Sequence, residues 1–261
     1  MEKHEFKKKY GQNFLQDENI LKKIHDIITP GEKDLIIEIG PGSGNLTKWL
    51  QKYNCNLICY EIDTSLKERL EIIKNEKTQI IFEDFMLVNL KEVVSKLDYD
   101  NIYVIANIPY YITTPIIEKI IKSNINVKKM VLMVQNEVAN RLTAKPKTKE
   151  YGYITVWLNT FYKTTKEFIV KKTCFYPIPK VDSAIISLTK KENSINDFSS
   201  FDNLIKSAFQ FKRKTLNNNL KKYDKNIIEK VLNKYNYSLN NRAEEIPLEI
   251  YHEIYNSLKE K

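Results

Sequence analysis

Cysteine is scarce, with Cys55, Cys59 and Cys174 the only three in 261 residues. Their small number and irregular spacing exclude a disulfide framework and a four-ligand zinc site. Cys55 and Cys59 sit in an apolar run and read as small core residues. Histidine is equally rare, and His4, His25 and His252 form no triad or metal pattern, so they are assigned no chemistry. No apolar run reaches transmembrane length, and the N-terminal stretch MEKHEFKKKYGQNF lacks the apolar core of a signal peptide. These absences lead to the expectation of a cytoplasmic protein with no membrane attachment and no metal. Glycine is also sparse, at six residues, so the three packed between Gly40 and Gly44 stand out.

Apolar residues make up 42% of the chain, with 16 Tyr, 11 Phe and 2 Trp. That is enough for a sizeable core, and disorder is a poor description of the whole. Lys and Arg number 42 against 33 Asp and Glu, a net charge of +9. Such a bias suits a polyanionic partner, nucleic acid before membrane.

The first two-thirds of the chain alternates short β-branched runs with amphipathic segments. Leu35 to Ile39, Asn56 to Tyr60, Gln79 to Phe82, Ile102 to Ala106 and Lys129 to Val134 read as buried strands. Thr64 to Lys74 and Asn89 to Leu97 carry helical spacing, and Thr114-Pro115 reads as an N-cap followed by proline at the first helical position. Alternation of this kind predicts a parallel sheet with helices on both faces, an α/β Rossmann-like fold. Ser183 to Leu188 is a last strand. Thr189 to Ser200 (TKKENSINDFSS) is polar and reads as a linker, and beyond it only helical periodicity remains. The expected domains are therefore 1–188, a linker over 189–200, and an all-helical unit over 201–261.

Chemistry is concentrated at the ends of the predicted strands, where ligands of such sheets bind. Glu38-Ile39-Gly40-Pro41-Gly42-Ser43-Gly44 follows the first strand and opens a helix, so that backbone can approach a ligand closely and helix N–H donors are free. Glu61 ends the second strand, where a carboxylate can accept both ribose hydroxyl hydrogens. These two features point to an adenosine-containing cofactor, NAD or S-adenosylmethionine. Asp84, after the third strand, is placed to accept from an adenine amino group. Asn107-Ile108-Pro109-Tyr110 ends the fourth. An exocyclic adenine amine is a poor nucleophile because its lone pair is delocalised into the ring. The Asn107 side-chain oxygen and the Ile108 carbonyl can accept both amine hydrogens and favour a pyramidal nitrogen. Pro109 stiffens the turn, and Tyr110 can stack on a base swung out of its helix.

With these residues in place, the whole chain resembles the small-subunit ribosomal RNA adenine dimethyltransferases, the enzymes whose loss gives kasugamycin resistance. The likeness rests on Gly11 to Leu15, Glu38 to Gly42, Asn107 to Tyr110 with Ile112 to Pro115, Val134 to Leu142, Tyr151-Gly152, Phe175 to Ala184, Phe211 to Leu220 and Arg242 to Ile246. Tyr111 departs from the Asn often found there. The resemblance implies a methyltransferase domain using S-adenosylmethionine, a helical C-terminal domain, and dimethylation of two adjacent adenosines in a hairpin near the 3′ end of small-subunit RNA. It places Asn13, Leu15, Gly40, Glu61, Asp84 and Asn107 around the cofactor, with the N-terminal segment as a flap. Phe175 becomes a second aromatic facing the target base. A monomer acting on the small ribosomal subunit or its precursor is expected.

Basic residues supply the RNA argument. Between Lys206 and Lys225 seven Lys and Arg stand against Asp224 alone, with Lys212, Arg213 and Lys214 at the centre; Lys145, Lys147 and Lys149 form another cluster. Three rival readings are weighed. The related large-subunit enzymes of macrolide resistance share Asn-Phe-Leu and Ile-Pro-Tyr elements, but the Gly-Pro-Gly, Val-Asp-Ser-Ala and Arg-Lys-Thr-Leu stretches favour the small-subunit class. A non-catalytic nucleic-acid-binding relative is opposed by intact Glu61, Asp84 and Asn107. A nicotinamide oxidoreductase leaves Asn107 to Tyr110 without a task.

Overall fold

A computed structural model describes residues 13–107, 112–192 and 198–260. In chain order the elements begin β1 (Phe14–Leu15), α1 (Glu18–His25), β2 (Leu35–Ile39), α2 (Asn45–Leu50), β3 (Asn56–Glu61) and α3 (Lys67–Ile73). They continue with β4 (Thr78–Phe82), α4 (Leu90–Val94), β5 (Ile102–Asn107), α5 (Thr113–Lys122), β6 (Val127–Gln135), α6 (Asn136–Leu142) and α7 (Tyr153–Phe161). Then follow β7 (Tyr162–Val170), β8 (Phe175–Tyr176), β9 (Ser183–Lys190), α8 (Phe198–Ala208), α9 (Leu216–Asn219), α10 (Lys225–Asn233) and α11 (Leu248–Lys259). The chain packs as two compact units, Met1–Ala139 with Thr165–Thr189, and Asn140–Thr164 with Lys190–Lys261.

The first unit is built on a sheet of order β4-β3-β2-β5-β6-β9-β7. β4, β3, β2, β5 and β6 are parallel, whereas β9 runs antiparallel to β6. The sheet is thus mixed where a parallel one was expected. Its centre reads as continuous β-branched runs because both faces are covered: every residue of β2 is buried. α1 starts where Asp17 accepts the N–H groups of Asn19 and Ile20, at 2.9 and 3.1 Å.

Several expectations need correction. α5 begins at Thr113 with Ile112 as its cap, so Pro115 occupies the third helical position. The substitution is harmless, because an N–H in the first turn has no intrahelical acceptor to lose. Thr189 and Lys190 extend β9, and Phe198 to Ser200 open α8, which shortens the irregular stretch at both ends. β7 was not anticipated. Its sequence YKTTKEFIV alternates half-buried with exposed residues at the sheet edge, and Lys and Thr mask the pattern. β1 and β8 form a separate two-stranded pair, Phe14 opposite Tyr176 and Leu15 opposite Phe175.

In the second unit, Phe201, Leu204, Ile205, Leu216, Ile228, Leu232, Tyr251 and Ile254 form one core with Val156 and Tyr151. Two buried hydroxyls tie this core to main chain: those of Tyr251 and Tyr151 donate to the carbonyls of Ala243 and Ile246, at 2.9 and 3.2 Å.

The turn between β2 and α2 is the tightest demand on the backbone. Gly44, the N-cap of α2, has φ +79°, and a Cβ there would lie 2.2 Å from Ile73 Cδ1 and 3.3 Å from Leu70 Cδ2. Gly44→Ala is expected to lose about 1–2 kcal/mol to the left-handed backbone and about 1–3 kcal/mol to overpacking. Urea unfolding measures it, and an unchanged midpoint would contradict the packing described.

Candidate functional site

The carboxyl ends of the central strands lie abreast, with Ile39 opposite Tyr60 and Ala106, and Glu61 opposite Phe82. The loops leaving them line one cleft of the first unit, about 1120 Å³ of empty space with its mouth included. Asn13, Leu15, Gly40, Glu61, Asp84, Asn107 and Phe175, all singled out from sequence, share this lining. Ile108, Pro109 and Tyr110 lie outside the described residues.

Glu61 organises the cleft. It is buried, one carboxylate oxygen accepts the Gly42 N–H at 3.0 Å, and the other accepts the Asp63 N–H at 2.9 Å. Besides these N–H groups the carboxylate, with about four lone-pair sites, retains capacity for a ligand donor. Burial pushes the Glu61 carboxyl above its ordinary range, and the Asp63 and Gly42 N–H groups oppose that shift. The turn it grips holds Gly40, Gly42 and Gly44 at φ +72°, +56° and +79°. A Cβ on Gly42 would lie 2.7 Å from the Phe14 ring, so β1 can lie on this turn only where the side chain is absent. Asn45 secures the same strand by donating its amide to the Leu15 carbonyl at 2.9 Å.

Asp84 caps a short helical turn with one oxygen on the Met86 N–H at 2.8 Å while also lining the cleft. Asn107 is the last residue of β5, opposite Met133 of β6. Phe175 is buried, and its loop is fastened by Asp182, which accepts the Lys172 N–H at 2.9 Å and the Lys171 ammonium at 3.0 Å. This gives the Asp of the Val-Asp-Ser-Ala run a structural task.

One contributor was named in the sequence without a role, and two escaped sequence reasoning. Glu38 is buried within β2, where its carboxylate accepts the Thr47 hydroxyl at 2.7 Å and the Cys59 thiol at 3.4 Å. Its signal was a charge in the otherwise apolar LIIEI. Ile62 lines the cleft although it is 44% exposed, an apolar face at the mouth directly after Glu61. Ile116 of α5 lines it too, a position that helical spacing alone could not assign to a cleft.

The lining carries Glu38, Glu61, Glu83 and Asp84 and, among the described residues, no Lys, Arg or His. In a chain of net charge +9, an acidic cleft favours a cationic ligand over the pyrophosphate of a dinucleotide. The cleft therefore fits S-adenosylmethionine better than NAD. Glycines allow close backbone approach, a buried carboxylate stands at the strand end, and Ile62 presents an apolar side chain at the mouth.

A family model described as ribosomal RNA adenine dimethylase matches residues 3–260. A ribosomal RNA small subunit methyltransferase A of Mycoplasma capricolum is 40% identical over 256 residues, covering 96% of each chain. The protein of that name in Mycoplasma mobile is 42% identical over 252 residues, covering 95% of this chain and 96% of the other. Among solved structures, a dimethyladenosine transferase from Plasmodium falciparum superposes with TM-score 0.78 at 28% identity, covering 92% and 95%. The 23S rRNA methyltransferase ErmE, at 22% identity and TM-score 0.75 over 95% and 100%, shares the fold.

Glu38 makes the cleft's electrostatics measurable. Burial pushes its carboxyl up to about 7, partly opposed by the Thr47 and Cys59 hydrogen bonds and aided by the nearby Glu61 charge. A folded-state value above the unfolded one means that the folded chain binds the proton more tightly. The contribution is complete below about pH 4.3 and is lost as pH rises to 7, with a slope of at most about 1.4 kcal/mol per pH unit. Glu38→Gln removes this dependence, so the variant should gain stability relative to wild type between pH 5 and 7.5. Parallel stability curves across that range would disprove the buried acid.

Proposed function

Since the chain belongs to the ribosomal RNA adenine dimethylase family, we propose that it dimethylates the exocyclic amines of two adjacent adenosines in small-subunit ribosomal RNA, with S-adenosylmethionine as methyl donor. The observation carrying this reading is one cleft that gathers an oriented buried carboxylate, a glycine turn and the Asn107 strand end. The protein acts as a cytoplasmic monomer on the subunit or its precursor. Among the described residues no helix is long and apolar enough to cross a membrane.

When bound, S-adenosylmethionine supplies a methyl group made electrophilic by the sulfonium charge. Glu61 accepts the ribose hydroxyls through its spare lone pairs, and Asp84 accepts from the adenine amino group with the oxygen that does not cap Met86. Gly40 and its neighbours let the backbone close on the ligand, while Asn13 hydrogen-bonds to it and Leu15 excludes water. At the target base, the Asn107 side-chain oxygen and the Ile108 carbonyl accept the two amine hydrogens, which turns the nitrogen lone pair toward the methyl group. Tyr110 and Phe175 hold the base by its faces. Stacking is worth roughly 1–3 kcal/mol per base, comparable with the few kcal/mol that unstacking costs. The first unit holds cofactor and target base, while the second, with Lys212, Arg213 and Lys214 exposed, grips RNA phosphates.

The decisive experiment offers purified small and large ribosomal subunits, unmethylated at the target, with labelled methyl donor. Dimethyladenosine in small-subunit RNA, seen by mass spectrometry, is expected; label confined to the large subunit would overturn the proposal. Asn107→Ala should lower the single-turnover rate about 10²–10³-fold at saturating cofactor, as loss of one preorganised polar group at a reacting centre does. A rate restored in full by more cofactor would make Asn107 a binding residue only.

A further inference from the structure

The loop joining α8 to α9 exposes a large ring. Phe211 is 57% exposed, and Lys212, Arg213 and Lys214 after it are exposed as well. The turn thus sets one apolar ring face directly beside three positive charges.

This loop is firmly held. The Lys214 N–H donates to the Phe211 carbonyl at 2.9 Å and closes a tight turn. Beneath it the buried Asn219 donates its side-chain amide to the carbonyls of Ala208 and Phe211, at 2.7 and 3.2 Å. Beyond the turn, the N–H groups of Leu216 and Asn217 donate to Asn241 and Leu239, both at 2.9 Å, and Thr215 bridges to Arg242. The Lys212 ammonium donates to the Lys149 carbonyl at 2.6 Å, which draws the segment carrying Lys145, Lys147 and Lys149 alongside. The backbone beneath ring and cations is therefore set before any partner arrives, and little of its ordering entropy is left to lose on binding.

We propose that Phe211 is a stacking platform for one unpaired RNA base, with Arg213 and Lys214 on the flanking phosphates. This deepens the function proposed above and rests on its RNA substrate. The charge selects the partner: RNA presents a π-face beside a negative phosphate at every nucleotide, the complement of an exposed ring set in a cationic turn. Base faces are hidden inside a duplex, so the platform engages a loop, bulge or strand end. A phenyl ring carries no hydrogen-bonding group, so it holds whichever base the RNA fold presents. This contact lies in the second unit, whereas the cleft that takes the target adenosine belongs to the first.

Binding to purified small ribosomal subunits at several salt concentrations tests the proposal. Phe211→Ala should weaken binding about 5- to 150-fold, the range of one lost base stack, and Phe211→Trp should retain affinity. The slope of log affinity against log salt should be the same for Phe211→Ala and wild type, because no phosphate contact is lost. Arg213 and Lys214 changed to Ala should flatten it by roughly 0.7–0.9 per phosphate. With Phe211→p-benzoylphenylalanine, irradiation on the subunit should place the adduct on RNA. Wild-type affinity in Phe211→Ala, equal loss in Phe211→Trp, or an adduct on a ribosomal protein would each overturn the stacking role. A wild-type chain that binds no subunit at all would instead overturn the substrate reading, and this inference with it.

Discussion

A single buried carboxylate holds the cofactor end of this protein together. Glu61 accepts backbone N–H groups from Gly42 on one side and Asp63 on the other, so the loops after β2 and β3 are fastened to one side chain. Burying a charge is costly unless donors surround it, and here the donors are main chain and cannot rotate away. Once this turn is fixed, Gly42 must stay bare for Phe14 to lie on it. Phe14 and Leu15 then pair with Tyr176 and Phe175. β1, the glycine turn and Phe175 are thus coupled through contacts that begin at Glu61.

Charge is divided in a way that the net value of +9 conceals. The described cleft lining is acidic, with Glu38, Glu61, Glu83 and Asp84, whereas the second unit exposes Lys212, Arg213 and Lys214. A sulfonium cofactor and a polyanionic substrate make opposite demands on electrostatics. An acidic lining suits the first demand, and an exposed basic turn suits the second.

The parallel strands were legible because each is a β-branched run covered on both faces, and expected boundaries fall within two residues of those found. β7 was illegible for the converse reason: at the sheet edge, YKTTKEFIV needs only half its residues apolar. β1 and β8 are two residues each, and no periodicity exists over so short a span. In the site, Gly40, Glu61, Asp84 and Asn107 could be read because each stands at the end of a recognisable strand, where this architecture binds ligands. Asn13, Leu15 and Phe175 were reached through family resemblance alone, since nothing in their local sequence places them at a cleft.

The sequence by itself determined the α/β class, the helical texture after β9, the strand-end residues and the family, because strand period, turn chemistry and motif order are written in neighbouring residues. Only the tertiary structure decided the rest. It joined Leu15 to Phe175 across most of the chain and turned the last shared strand β9 antiparallel to β6. It packed residues 140–164 with the C-terminal helices and set Lys212 on the Lys149 carbonyl. Glu38 makes the physical reason plain: its carboxyl is pushed up to about 7 by burial, and burial depends on everything packed around a group rather than on the residues beside it in the chain.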